Sequence, residues 1–256
     1  MLVKLLRFLA NEVWFAGWVW IAPKRWMDIS HLRRSWSFER PAARQWHSRV
    51  LAVVEGQVCE RKWGDALEIG CSEGVFTSNL SRRCRSVDAY DISPVARARA
   101  AERCAHYPNV RIGALDLAKD DISGRYDLVF AMDVLSCIRG RKRLVSAVAR
   151  LVSSLKTDGL LIVTDTSIPL DIRDYWGSRR WWRRWLAMMD SNEYVELLES
   201  TLGLRLVYRE DYLPEGAQAK DCWDAFIALF QIVPAPGHET VIESVGGSAA
   251  GIVRIA

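Results

Sequence analysis

Short apolar runs alternate with amphipathic segments through residues 66–232. The runs are bounded by turn residues and predict strands at Ala66–Ile69, Val87–Tyr90, Val110–Ile112, Leu128–Ala131, Leu160–Thr164, Arg205–Tyr208 and Phe226–Ile232. Between them, apolar residues recur at helical spacing and predict helices at Gly74–Arg83, Pro94–His106, Arg141–Leu155 and Arg179–Leu202. The alternation predicts an α/β fold built on a Rossmann-like, doubly wound and mainly parallel sheet.

The segment before this region is different in character. Residues 1–22 are mostly apolar, with a narrow polar stripe that includes Lys4 and Arg7. The charge-free run that follows, Val13–Pro23, is too short to span a bilayer, and no export signal is indicated. Two interpretations stay open: a helix lying in a membrane surface, or a helix packed on the main domain or on an oligomer partner.

These patterns divide the chain into an N-terminal amphipathic cap at 1–40, a main domain at 41–233 and a tail at 234–256. The tail is expected to be loose because it offers little apolar surface to bury. Within the main domain, an insertion is expected at about 168–190, after the fifth strand. Apolar residues from Pro41 onward predict a further helix leading to the core, with Ala42, Trp46, Val50, Val53 and Val54 on its buried face.

Composition adds few constraints. The net charge of +4 is too small to indicate nucleic acid, and the six cysteines form no Cys-x-x-Cys pair, so neither a zinc site nor a disulfide framework is predicted. The cysteine pattern favours a reducing cytoplasm, with peripheral membrane contact as an addition to that expectation. The oligomeric state stays open.

Twelve tryptophans are more than a core of this size needs. Several fall in residues 179–189, where a helix would place tryptophans, including Trp181 and Trp185, opposite a row of arginines. This basic amphipathic helix could line an acceptor pocket with Trp181 and Trp185 while its arginines meet solvent, an acidic acceptor or anionic lipid. The alternative is a surface helix packed on the sheet. RNA binding would prefer aromatic and basic residues on the same face, so no nucleic-acid partner is expected.

The candidate ligand site is the turn after the first strand, Glu68-Ile69-Gly70-Cys71-Ser72-Glu73-Gly74. Such turns receive charged ligands, because the backbone N–H groups at the helix start are unpaired. Dinucleotide enzymes require a third glycine, which is missing here, and a phosphate loop requires a Lys-Ser/Thr pair. The carboxylates of Glu68 and Glu73 would repel pyrophosphate and instead suit a ligand that carries an amino group.

The turn resembles the first motif of the class I S-adenosylmethionine-dependent methyltransferases, in which the position of Cys71 varies between small residues. The resemblance continues in order through the pieces Asp91, Asp116, Tyr126-Asp127-Leu128-Val129-Phe130-Ala131-Met132-Asp133 and Leu155-Lys156-Thr157-Asp158-Gly159-Leu160. It implies a seven-stranded sheet with an antiparallel last strand and S-adenosyl-L-methionine as the cofactor.

The resemblance also implies a role for each matching position. Glu68, Gly70, Cys71 and Gly74 would form the cofactor turn. Asp91, at the end of a strand, would accept both ribose hydroxyl protons. The remaining contacts would be made by Ile92 on the adenine face, by Asp116 and the backbone of Leu117 at the adenine amine, and by Met132 beside the methyl group.

Methyl transfer from a sulfonium is an in-line displacement, so alignment of the acceptor supplies much of the acceleration. Asp133 is the best candidate to hold or deprotonate the acceptor, and Asp165 is the second, with a capping role as its alternative. Metal-dependent relatives place another oxygen ligand where this chain has Thr166, so no metal site is expected.

A narrower resemblance points to the nodulation-type N-methyltransferases, which act on amino sugars of chito-oligosaccharides. It is carried by Cys71-Ser72, by Phe76-Thr77 and by the upstream segment Trp36-Ser37-Phe38-Glu39-Arg40. It implies that Trp36 and Phe38 line the cofactor or acceptor pocket, with ordinary packing as the alternative. The chain departs from that group at residues 164–169.

The sequence thus predicts a methyltransferase that acts on nitrogen or oxygen of a small molecule, with an amino sugar or a lipid-linked precursor as the candidate acceptor. Two alternatives stay open. One is a membrane-associated cofactor-binding protein of the same fold without turnover, and the other is a nicotinamide-dependent dehydrogenase.

Overall fold

The computed structural model describes Asp28 and residues 41–58, 63–138, 140–167, 191–212 and 224–232. The strands are β1 (Trp63–Ile69), β2 (Cys84–Asp91), β3 (Val110–Ala114), β4 (Tyr126–Met132), β5 (Leu155–Ser167), β6 (Leu204–Tyr212) and β7 (Asp224–Ile232). The helices are α1 (Pro41–Val58), α2 (Val75–Leu80), α3 (Pro94–Cys104), α4 (Arg141–Ser153) and α5 (Ser191–Leu202), with a 3₁₀ turn at Leu135–Cys137.

All seven strands form one sheet in the order β3-β2-β1-β4-β5-β7-β6. Strands β1 to β5 are parallel, and β7 runs antiparallel between β5 and β6. The chain moves outward from β1 to β3 and then returns to the other side of β1 with β4. This reversal opens a crevice at the carboxyl ends of β1 and β4, which is where such sheets bind ligands. The predicted fold and the antiparallel last strand are confirmed.

Helices cover both faces of the sheet. On one face, α1 buries Trp46, Val50, Val53 and Val54, the residues that the helical spacing assigned to the core, against an apolar cluster shared with α2 and α3. On the other face, α4 and α5 pack on a second cluster. The predicted start of α3 is also confirmed, because the Ser93 hydroxyl accepts a hydrogen bond from the N–H of Ala96 at 3.3 Å.

Every described strand except β3 begins earlier than the sequence predicts. β1 begins at Trp63, and its charged Asp65 lies beside Asp127 of β4 and Lys156 of β5. The Lys156 Nζ contacts Asp127 Oδ2 at 2.7 Å and Asp65 Oδ2 at 3.1 Å, so charged residues that break the apolar pattern are paired across the sheet.

The pair Asp158-Gly159, a sequence typical of a turn before a strand, lies instead in a bulge inside β5. The pairing with β4 jumps from Tyr126–Leu155 to Leu128–Leu160, so residues 156–159 stand opposite the single residue between them on β4. An extra stretch of chain in one strand is accommodated by local bending, and the strand continues through it.

Several predicted features lie outside the described residues. They are the N-terminal cap apart from Asp28, including Trp36 and Phe38, the insertion at 168–190 with Trp181 and Trp185, and the tail at 234–256. The described helices include none with the length and apolar character needed to cross a membrane. The same part of the chain contains no group of three or more His, Cys, Asp and Glu side chains that could hold a metal ion.

Candidate active site

The turn after β1 has the conformation that its glycines allow. Gly70, Ser72 and Gly74 all have positive φ, at 86°, 47° and 75°. A β-carbon at Gly74 would lie 2.9 Å from the Cα of Ala100 in α3, and one at Gly70 would lie 2.9 Å from the carbonyl oxygen of Met132. The turn therefore needs glycine both for its backbone angles and for the close approach of α3 and β4.

Asp91 at the end of β2 is fixed by the backbone around it. Its Oδ2 accepts a hydrogen bond from the N–H of Ser72 in the glycine turn at 3.0 Å, and its Oδ1 accepts one from the N–H of Ser93 at 2.8 Å. The Arg97 Nη1 donates to the carbonyl oxygens of Asp91 and Ile92 and holds the following backbone. The carboxylate of Asp91 is thus oriented in advance, and each oxygen keeps a lone pair for a ligand.

Glu68 near the end of β1 is buried, with only 1% of its surface exposed. Its Oε2 accepts a hydrogen bond from the hydroxyl of Thr77 at 2.6 Å, which ties β1 to α2 behind the turn. Burial raises the pKa of Glu68 to about 7, the bond from Thr77 opposes that rise, and the negative charge of Asp91 adds to it. In this position Glu68 supports the turn through α2, which the sequence did not indicate.

Glu73, the other acid of the turn, is engaged elsewhere. Its Oε1 lies 2.9 Å from Nη1 of Arg99 on α3. The Arg103 Nε also donates to the carbonyl oxygen of Glu73 at 2.7 Å. These contacts anchor the turn to α3. The sequence predicts a different role for Glu73, in which its carboxylate binds an amino group of the ligand.

The loop after β3 contains Asp116 and Leu117. Asp116 Oδ2 lies 2.8 Å from Nζ of Lys119, and its Oδ1 accepts a hydrogen bond from the N–H of Ala118 at 3.1 Å. Leu117 is buried, and its carbonyl oxygen accepts a long bond from Arg150 at 3.4 Å. A nucleobase amine at Asp116 would therefore share the carboxylate with Lys119.

Asp133 follows β4 in a left-handed conformation with φ of 51°, which is uncommon for a residue other than glycine. Its N–H donates to the carbonyl oxygen of Thr164 at 2.8 Å, which extends the β4–β5 pairing by one residue. Its Oδ2 accepts a hydrogen bond from the indole N–H of Trp46 in α1 at 3.4 Å. Its Oδ1 is buried and has no hydrogen-bond partner among the described residues. Strain of this kind is often kept where a side chain must point in a particular direction.

Asp165 near the end of β5 is fully buried beside Asp133. Its Oδ2 accepts a hydrogen bond from the N–H of Ser136 at 2.9 Å, in the 3₁₀ turn after β4. Burial, together with the negative charge of Asp165, raises the pKa of Asp133 well above the usual range of a carboxyl, and the Trp46 bond opposes that rise. The two candidate catalytic acids are therefore neighbours, and Asp165 also stabilises a turn, as its alternative role requires.

Cys71 lies in the turn near Glu68 and Asp91, Met132 directly precedes Asp133, and both side chains are buried. Burial raises the pKa of the Cys71 thiol, so this group packs as a neutral side chain. The Cys71 N–H and the Gly70 N–H both donate to the carbonyl oxygen of Tyr90. These bonds hold the turn against the end of β2.

The structure thus gathers the acids Glu68, Asp91, Asp133 and Asp165 at the carboxyl ends of neighbouring strands around the glycine turn. Asp116 lies in the loop after the more distant β3. The sequence pattern does not indicate Trp46 and Thr77 as site residues. Trp46 was assigned to the core by its helical spacing, and Thr77 served only as part of a family motif.

The strand order and the glycine turn followed by an acid at the end of β2 define the fold of the class I methyltransferases. The fold is shared with magnesium protoporphyrin IX methyltransferase from Synechocystis PCC 6803 with bound S-adenosyl-L-homocysteine, at a TM-score of 0.62 and 16% identity over 81% of this chain and 97% of that chain. A model of the nodulation protein S (NodS) family matches residues 30–225, and the chain belongs to this family.

Individual NodS proteins are similar in sequence and in structure. The NodS of Azorhizobium caulinodans is 32% identical over 114 residues, which cover 44% of this chain and 55% of that protein. The NodS of Bradyrhizobium diazoefficiens is 30% identical over 105 residues, which cover 40% and 50%. This chain spans about half the length of the curated relatives it matches.

The N-methyltransferase NodS from Bradyrhizobium japonicum WM9, solved in complex with S-adenosyl-L-homocysteine, superposes with a TM-score of 0.61. The identity is 22%, over 77% of this chain and 91% of that chain. At this identity the superposition establishes a shared fold.

Proposed function

We propose that this chain is an S-adenosylmethionine-dependent methyltransferase that transfers a methyl group to nitrogen or oxygen of a small molecule. The observation that carries the proposal is the Asp91 carboxylate, held by the N–H groups of Ser72 and Ser93 at the edge where the strand order reverses. A fixed carboxylate in this place is suited to accept the two hydroxyl protons of a ribose. Membership of the NodS family supports the same activity.

The residues around Asp91 fit S-adenosyl-L-methionine. Gly70 and Gly74 let the turn pack closely on β4 and α3, which holds its backbone at the carboxyl ends of the strands. Ile92 is partly exposed beside Asp91 and can cover one face of a nucleobase. The bound sulfonium would supply an electrophilic methyl group, and the residues of this chain would bind and align the acceptor.

Asp133 is the group proposed to meet the acceptor. It lies directly after Met132 at the mouth of β4, beside the glycine turn, and one of its oxygens is left without a hydrogen-bond partner among the described residues. That oxygen can accept a hydrogen bond from an amine or hydroxyl and can take its proton. Since its pKa is raised toward neutrality by burial and by Asp165, Asp133 suits a general base better than an exposed aspartate does.

An amino sugar is the acceptor class we propose to test, and a lipid-linked precursor is the second. The support is the family match, together with the NodS relative described as an N-methyltransferase. An amine needs only to lose or lack a proton before it attacks, so a single carboxylate such as Asp133 suffices.

Peripheral membrane contact through residues 1–22 and 179–189, in a cytoplasmic protein, stays a proposal supported by the sequence pattern alone. Sedimentation with anionic vesicles, compared between the full chain and a variant lacking residues 1–22, tests it. Equal sedimentation of the two proteins would remove the N-terminal part of this proposal.

The test of the main proposal begins with thermal unfolding of the full chain in the presence of S-adenosyl-L-homocysteine, NAD or NADP. A ligand at one hundred times its dissociation constant stabilises the folded state by about 2.7 kcal/mol. We expect S-adenosyl-L-homocysteine to raise the Tm and NAD and NADP to leave it unchanged. If NAD or NADP raised the Tm and S-adenosyl-L-homocysteine did not, the result would favour a dehydrogenase.

Turnover is tested by measuring S-adenosyl-L-homocysteine formed from S-adenosyl-L-methionine with a glucosamine tetramer, and with cell metabolite and lipid extracts. Binding without product in any of these mixtures would favour a cofactor-binding protein that lacks turnover. Fully acetylated oligomer is the matched control, because it presents the same sugar without a free amine.

A further inference from the structure

Helix α1 places one polar group directly on the candidate base. The indole N–H of Trp46 donates to Oδ2 of Asp133 at 3.4 Å, across 87 residues of sequence. Trp46 is itself buried, with 8% of its surface exposed. The bond occupies one carboxylate oxygen and leaves Oδ1, which has no hydrogen-bond partner among the residues described, as the free acceptor.

The position of Trp46 is fixed by residues of β6, the edge strand of the sheet. The ring of Tyr212, at the end of β6, packs on the ring of Trp46 with centroids 5.1 Å apart and a 34° tilt. Arg49, less than one turn along α1, forms a two-pronged contact with Glu210 of the same strand, with Nε to Oε1 at 2.6 Å. An exposed pair of this kind contributes little stability, but its geometry fixes the register of α1 on β6.

We propose that Trp46 is a positioning residue that fixes Oδ2 of Asp133 and so presents Oδ1 to the methyl acceptor. The proposal deepens the proposed function and rests on it. A tryptophan suits this role because its indole is a donor only and cannot take a proton from the base or compete with it for the acceptor. Its large ring also excludes water from one side of the carboxyl.

The hydrogen bond has an electrostatic consequence that can be measured. Among the described residues, Asp165 on β5 acts on Asp133 through its charge, Cys137 in the 3₁₀ turn contacts the carbonyl oxygen of Asp133, and Tyr212 on β6 packs on Trp46. His47 follows Trp46 on α1, and its ring packs on Phe76. Asp165 opposes ionisation of Asp133, whereas the Trp46 donor favours it. Burial lowers the pKa of His47 to about 4, so it is neutral when Asp133 titrates. Loss of the Trp46 donor should therefore shift the ionisation of Asp133 to higher pH.

The test compares Trp46→Phe with Trp63→Phe. Both residues are buried tryptophans with nearly equal exposure, 8% and 7%, but Trp63 lies at the amino end of β1, whereas Asp133 follows the carboxyl end of the neighbouring strand β4. With the glucosamine tetramer as acceptor, we expect the acidic limb of the kcat/KM profile of Trp46→Phe to move up by about one pH unit, which is about a tenfold loss at pH 7. Trp63→Phe should leave the limb in place, and both variants should keep their affinity for S-adenosyl-L-homocysteine.

A second measurement needs no acceptor. In ¹⁵N-tryptophan-labelled full chain, the indole N–H resonance that is missing in Trp46→Phe should shift with pH, and Asp133→Asn should abolish that shift. The proposal would be overturned if the indole resonance did not shift with pH, or if the acidic limb of the kcat/KM profile did not move in Trp46→Phe. If the unaltered chain did not bind S-adenosyl-L-homocysteine, the result would count against the proposed function. Failure of the proposed function can therefore be told apart from failure of the role proposed for Trp46.

Discussion

The buried acid behind the glycine turn makes stability depend on pH in a direction opposite to most carboxylates. Burial raises the pKa of Glu68 from 4.5 to about 7 in the folded chain, against the opposing bond from Thr77 and with a further rise from Asp91. The substitution Glu68→Gln removes the ionisation, while the amide oxygen can still accept the hydrogen bond from Thr77.

The sign follows from proton binding. Between about pH 4.5 and pH 7, the folded state keeps the proton on Glu68 and the unfolded state loses it. The folded state is therefore favoured by this group at low pH, and that advantage is lost as the pH rises through 7. A difference of about 2.5 pKa units corresponds to a loss on the order of 3 kcal/mol in the free energy of unfolding.

Urea unfolding at pH 5 and at pH 8 measures the effect in the protein without ligand. We expect the free energy of unfolding of Glu68→Gln, relative to that of the unaltered chain, to rise by about 2 to 3 kcal/mol from pH 5 to pH 8. Because the two proteins share every other titrating group, the contributions of those groups to the free energy of unfolding cancel in the comparison. Thr77→Val removes the donor that favours the charged form and should raise the pKa of Glu68 further in the folded chain, so the loss of stability should continue to higher pH and become larger. A difference between Glu68→Gln and the unaltered chain that is equal at both pH values would refute this account of Glu68.

Three further predictions concern other parts of the site and the sheet. Asp91→Asn should weaken binding of S-adenosyl-L-homocysteine at least tenfold in calorimetry, because bonds to a charged carboxylate are each worth about 1.5 to 3 kcal/mol; unchanged affinity would contradict its placement at the ribose. Gly74→Ala should lower the free energy of unfolding by more than about 1 kcal/mol, because φ at Gly74 is 75° and a β-carbon there would meet Ala100. As a control, Gly56→Ala should raise the free energy of unfolding by about 0.5 to 1 kcal/mol, because Gly56 lies in α1 with open space around its Cβ position. Lys156→Met should cost about 1 kcal/mol or less at low salt and less at high salt, without altering ligand affinity, because its partners lie at the amino edge of the sheet.

The parts of the fold that follow from local pattern were predictable. Each strand has an apolar run, and α1 buries the residues that fall on one helical face, from Trp46 to Val54. The bulge in β5 was not predictable from local pattern, because Asp158-Gly159 is typical of a turn. Only the pairing of β5 with β4 keeps the strand continuous there. Tertiary context overrides local preference at such a place.

The candidate site divides in the same way. The glycine turn and Asp91 belong to a single β-turn-α-β unit, so spacing along the chain predicts that they meet. The contact of Trp46 with Asp133 joins α1 to β4, and no pattern in either segment encodes it. The ion pair between Glu73 and Arg99 could not be predicted from the sequence either, because it depends on how closely α3 packs on the turn.

The cofactor turn and the acceptor carboxylate cannot be varied independently in this structure. A β-carbon at Gly70 would lie 2.5 Å from Cγ2 of Val134 and 2.9 Å from the carbonyl oxygen of Met132, the residues on either side of Asp133. Any side chain at Gly70 would have to displace the segment that holds Asp133 in its left-handed conformation. A substitution at Gly70 is therefore expected to disturb the acceptor side as well as the cofactor side, even though Gly70 belongs to the motif that the sequence assigns to the cofactor alone.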